Sequence, residues 1–121
     1  MSIEFSMLNI LASEIKEVRT KLLEMTTKME LISNRIKKWE SAEMLSITSE
    51  IDEKGKAAYS NAEKRQVELE RRKLNDQVIS GLEAEYEAIK KEYEELRIDL
   101  QYKYDLQENL RALARIGGGQ L

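Results

Sequence analysis

The stretch LNILASEIKEVRTKLLEMTTKMELISNRIKKW, residues 8–39, sets the reading of the whole chain. Within it Leu8, Leu11, Ile15, Val18, Leu22, Met25, Met29, Ile32, Ile36 and Trp39 follow one another at spacings of three and four without a miss. That is a helix with one apolar seam: Leu8, Ile15, Leu22, Met29 and Ile36 take the a positions of a heptad, and the others take d. Beyond Trp39 the pattern slips and resumes at Met44, Ile47 and Ile51, a four-residue stutter that unwinds the supercoil locally without ending it. The spacing predicts a first helix over residues 3–54, with Gly55 as its C-terminal stop.

Working outward, Ser60-Asn61-Ala62-Glu63 has the form of a capping box, in which hydroxyl and carboxylate each accept a backbone N–H at a helix start. A second helix is predicted over 60–116, where Gly117, Gly118 and Gly119 release the chain into a flexible tail, 117–121. Its seam is read as Leu74, Val78, Leu82, Ile89, Tyr93, Leu96 and Leu100. Asn75-Asp76 and the string Ser80-Gly81-Leu82-Glu83 are poor mid-helix material. A continuous helix with a bend at 75–81 is the expectation; a break there would give three helices.

A turn over 54–59 makes the two helices antiparallel neighbours, so facing residues have position numbers of constant sum, near 114. Pairing Ile47 with Val67, Trp39 with Leu74, Ile36 with Val78, Ile32 with Leu82, Met25 with Ile89, Val18 with Leu96 and Ile15 with Leu100 keeps that sum within one residue. The fold class expected is all-α, a single domain over 1–116 folded as a long antiparallel coiled-coil hairpin. At about 1.5 Å per residue its arms would be on the order of 75 Å long. In outline this is similar to small helical-hairpin proteins such as prefoldin subunits and tubulin-binding cofactor A. That likeness is of shape and covers no motif; prefoldin subunits interrupt their helices with β hairpins, for which residues 54–59 leave no room, so it assigns no family.

At the end where both termini meet, the apolar stripe widens. Ile3, Phe5, Met7 and Ile10 join helix 1, while Tyr102, Leu106, Leu110, Leu113 and Ile116 lie outside the helix 2 seam. A face too broad for one neighbour implies two, so a homodimer forming a four-helix bundle at this end is expected. The alternative is that these side chains fold back on the hairpin's own seam.

Composition narrows the chemistry. The 121 residues include no Pro, Cys or His, and 36% are Asp, Glu, Lys or Arg. Without His or Cys there is no Ser-His-Asp or Cys-His nucleophile, no zinc site of the usual kind and no disulfide. Five Gly and no Pro leave little turn material for a β or α/β fold. No apolar run approaches a membrane span, and Met1–Leu11 carries Glu4 but no Lys or Arg, unlike a signal peptide. A cytoplasmic protein with no membrane association, cofactor or metal is expected.

Two charged features compete with that reading. Arg35, Lys37 and Lys38 fall at the level of Arg71, Arg72 and Lys73, with Trp39 between, and could hold a phosphate backbone while the indole stacks a base. The interleaved Glu40, Glu68, Glu70 and Asp76 favour a solvated face instead. The run Glu83, Glu85, Glu87, Glu92, Glu94 and Glu95 points in several directions on a helix and offers no cleft for paired-carboxylate chemistry. The sequence therefore points to a non-enzymatic structural or adaptor protein acting through self-association and an unidentified protein partner. A small nucleic-acid-associated protein, or a helical chaperone or assembly factor, are the other readings.

Overall fold

The computed structural model describes residues 3–119, with side chains through Gly117. The described residues form three helices: α1 (Ile3–Ser49), α2 (Ala62–Asn75) and α3 (Gln77–Gly119). They contain no strand, only an isolated antiparallel bridge between Ile51 and Ala57. Among the described residues no helix is long and apolar enough to cross a membrane.

All ten seam residues of the 8–39 stretch are buried or half-buried, as their spacing requires. α1 ends five residues before the predicted Lys54, because the chain finds other partners for its backbone. The Thr48 and Ser49 hydroxyls donate to the Met44 and Leu45 carbonyls, and residues 50–58 then close into a miniature hairpin. Asp52 N–H donates to Lys56 O at 2.7 Å, Gly55 N–H to Asp52 O at 3.0 Å and Ala58 N–H to Glu50 O at 2.9 Å. The Asp52 carboxylate accepts from the Lys54 and Lys56 N–H groups. Gly55 supplies the left-handed residue this turn needs, at φ 76°. It belongs to this turn and is not the stop of α1, and a short hairpin does fit between the helices.

The start of α2 lies one residue beyond the expected cap. Asn61 is extended, and its side chain accepts from Lys64 N–H at 2.8 Å; the Ser60–Glu63 box is not formed. Asn caps at least as well as Ser, and here it wins.

The second helix, expected to run unbroken with a bend at 75–81, is instead two helices divided at Asp76 (φ −95°, ψ 109°). This residue ends one and caps the next. Its N–H donates to Lys73 O, its carboxylate accepts from Ile79 N–H at 3.0 Å, and its carbonyl accepts the first α3 bond from Ser80 N–H. Ser80 Oγ returns a bond to Lys73 O across the break. At the other end α3 continues through Gly117 to Gly119 instead of releasing at Ile116; the remainder of the predicted tail, 120–121, lies outside the described residues.

The break coincides with a misread face. Leu74 and Val78, predicted at the seam, are 81% and 64% exposed, as is Val67 at 66%. Inward instead are Arg65, Glu68, Leu69, Arg72 and Lys73. From Arg65 a step of seven then runs through Arg72, Ile79, Tyr86, Tyr93, Leu100, Gln107 and Ala114, every one buried or half-buried. Apolar character does not guarantee burial when ion pairs occupy the contact.

The chain divides into two compact units. One comprises the chain up to Thr27 together with the stretch from Ile89 onward. Its core is Leu11, Ile15 and Leu110, with Leu8, Leu100, Tyr104 and Leu106 packed against it. The other is Lys28–Ala88, where Ile32, Ile47, Leu69, Ile79 and Leu82 are buried, Ile47 completely.

Candidate interaction surfaces

In the 28–88 unit the functional candidates are the cations of α2. Arg72 reaches Glu43 of α1, with Nη1 3.2 Å from Glu43 Oε2, and Glu50 just beyond its end, with Nη2 2.7 Å from Glu50 Oε2, and its Nε lies 2.9 Å from Glu68 Oε1. Arg71 adds a fork onto the same Glu68 carboxylate, at 2.6–3.2 Å. Hydrogen bonds from Arg71 and then Arg72 outweigh desolvation and pull the Glu68 carboxyl down to about 2. The same contacts raise both guanidinium pKa values, so this layer stays charged.

Lys73 gathers a second set of acids. Its Nζ lies 3.5 Å from Glu40 of α1, 3.7 Å from Glu70, and 3.3 Å from Glu83 across the Asp76 break. Desolvation lowers its pKa, but Glu40, Glu83 and Glu70 together override that and leave it raised.

Three of the six predicted nucleic-acid contacts are thus held by six carboxylates. Arg35, Lys37 and Lys38 are exposed and make no ion pair among the described residues, while Trp39 is half-buried in the α1 seam. The structure does not bring the six cations together as one free patch. No group of three or more metal-ligating side chains occurs among the described residues.

In the first unit the candidates are apolar side chains. Ile3, Met7 and Ile10 lie four and three residues apart and share one face of α1; Tyr102, Leu106 and Leu113 share one face of α3. Ile3 is 75%, Ile10 61% and Tyr102 64% exposed, and Met7, Leu113 and Ile116 are also exposed. Between the two rows runs a groove of about 270 Å³, lined by Met7, Ile10, Leu11, Leu106 and Leu110 with Glu14 at its rim. Glu14 is 3.6 Å from Lys103, which also meets Asp99 at 3.4 Å.

Of the nine residues predicted for an oligomer interface, three have other positions, and Leu106 is one of them, half-buried against the unit's own core. Leu110 is buried in the unit's own core, where it also lines the groove. Phe5 lies in a separate depression with Leu8, Arg111, Ala114 and Arg115. Sequence reasoning missed Ile98, exposed four residues before Tyr102 and extending its row; the same spacing of four could have found it.

No known protein family, curated protein or solved structure matches this chain.

Proposed function

We propose that this protein is a non-enzymatic structural or adaptor module, an antiparallel coiled-coil hairpin that works through self-association and protein–protein contact. The observation that carries this reading is the apolar face of the first unit. Taking about 200 Å² for a large fully exposed residue, Ile3, Met7, Ile10, Tyr102, Leu113 and Ile116 together leave on the order of 700 Å² in water. This is of the order of the roughly 800 Å² per partner of a standard interface.

Pairing between the arms is supported by the ion pairs Glu14–Lys103, Glu40–Lys73 and Glu43–Arg72. Their position numbers sum to 117, 113 and 115, within three of the 114 of an antiparallel hairpin turning at residue 57, while Arg72–Glu50, at 122, ties α2 to the loop after α1. Cytoplasmic residence is part of the same proposal and rests on composition alone. A nucleic-acid role draws less support, since Arg71, Arg72 and Lys73 already neutralise acids of their own unit.

Thermal melting followed by circular dichroism over a hundredfold range of protein concentration tests self-association. The midpoint rises with concentration if the folded state is an oligomer. A concentration-independent midpoint would count against the reading.

A further inference from the structure

On the outer side of α1, within the 28–88 unit, Lys28, Leu31, Arg35, Lys38, Ala42 and Leu45 follow one another at spacings of three and four, and all six are exposed. They form one stripe on the order of 25 Å long. Its three cations have no hydrogen bond or ion pair among the described residues, and no carboxylate falls on it. The preceding steps at the same spacing, Glu17, Lys21 and Glu24, are mixed in sign, with Glu17 and Lys21 already paired. Leu31 and Leu45 are 61% and 70% exposed. Beside Leu45 a depression of about 540 Å³ opens between α1 and α2, lined on its apolar side by Met44 and Leu69; its one carboxylate, Glu40, is held by Lys73.

Charge selects the occupant. Arg71, Arg72 and Lys73 are taken up by carboxylates of their own unit, whereas the cations of the stripe are not, so their complement is an acidic partner. The leucines narrow it further. They stand two heptads apart on one side of α1, the repeat at which a helix laid along it returns an apolar residue to the contact. A nucleic acid would use the cations and leave both leucines without a partner, and Trp39, the indole that could stack a base, is half-buried in the seam. An anionic lipid surface takes up the apolar face of an amphipathic helix, and that of α1 is spent in the seam. Other exposed cations lack this company. Lys16 and Arg19 have one leucine, Leu23, and meet Glu30 two turns on, while Lys91 stands between Glu87 and Glu94.

We infer that the stripe from Lys28 to Leu45 docks an acidic amphipathic helix of another protein, which lies along α1 with its carboxylates on Lys28, Arg35 and Lys38 and its apolar residues on Leu31 and Leu45. This rests on the adaptor half of the proposed function and is independent of self-association, which uses the other unit.

The test follows, by fluorescence anisotropy, the binding to the full chain of a labelled three-heptad peptide with Leu at a and d and Glu at e and g. The same peptide with Lys in place of Glu, a short DNA duplex and phosphatidylserine vesicles are the other arms. The expected result is saturable binding of the acidic peptide alone, weakened at least about tenfold in Arg35→Glu/Lys38→Glu and in Leu31→Ser. Lys16→Glu/Arg19→Glu should leave it unchanged; all five replaced residues are exposed, so helicity by circular dichroism stays that of the unaltered chain. Acidic-peptide binding that survives the Arg35/Lys38 reversal, or that ignores Leu31→Ser, would overturn the inference, as would duplex or vesicle binding lost in that reversal. A fall in chain mass by light scattering in the same variant would assign the stripe to a second copy and overturn it too. An oligomer that does not bind the acidic peptide contradicts this inference alone; a single-chain species that does bind it contradicts self-association alone.

Discussion

Arg72 is the side chain on which the 28–88 unit converges, since its guanidinium joins Glu43 of α1 and Glu50 of the loop that follows it to Glu68 of its own helix. Arg72→Ala leaves three neighbouring carboxylates without their shared cation. The expected cost is roughly 1–3 kcal/mol in urea unfolding. Glu68 adds a pH dependence. Its carboxyl lies at about 2 when folded against an ordinary 4.5, so the unfolded chain binds the extra proton. The stabilisation is present above about pH 4.5 and is lost as pH falls toward 2. Melts across that window should show a slope that flattens in Glu68→Gln; an unchanged slope would refute the assignment.

Two glycines at the residue scale predict opposite signs. Gly55 has φ +76°, where a side chain is strained, so Gly55→Ala should destabilise by about 1 kcal/mol. Gly81 lies inside α3 with nothing within 4 Å of an added Cβ, so Gly81→Ala should stabilise by about 0.5–1 kcal/mol. Equal shifts in the same direction would contradict the two conformations.

At the scale of elements, Asp76 decides where α2 ends and α3 begins. Asp76→Ala removes the acceptor of the Ile79 N–H and should cost about 1 kcal/mol, seen as faster amide exchange through Ile79 and Ser80. Exchange unchanged at those amides would mean the cap is not what holds the first turn. Ser60→Ala should be nearly silent, because the cap of α2 is Asn61.

These elements also show what the sequence made readable. α1 was legible from its unbroken three-four spacing; the weak helix material at Asn75-Asp76 was read as a bend, and it is a break because Asp76 caps both helices. The face of α2 was not. Val67, Leu74 and Val78 look like a seam, yet Arg72 and Glu68 lie inside because each finds partners that offset desolvation. Counting sevens back from Ile79 through Arg72 to Arg65 recovers the inward face, a signal that hydropathy conceals. The apolar face of the first unit was legible as a widened stripe. Its division into a charge-poor groove and an arginine-bordered depression was not, since that depends on which helix flank each residue occupies.

For the whole molecule, the two units are held by different forces. An apolar cluster of Leu11, Ile15 and Leu110 packs the first, while charged layers at Arg72 and Lys73 supplement the buried aliphatics of the second. Self-association on this account belongs to the first unit, whose apolar surface exceeds what its own cluster covers. Sedimentation equilibrium of the unaltered chain at micromolar concentration tests that most directly. The account predicts a single species of twice 14.1 kDa. A fully helical species of 14.1 kDa across the whole concentration range would contradict it.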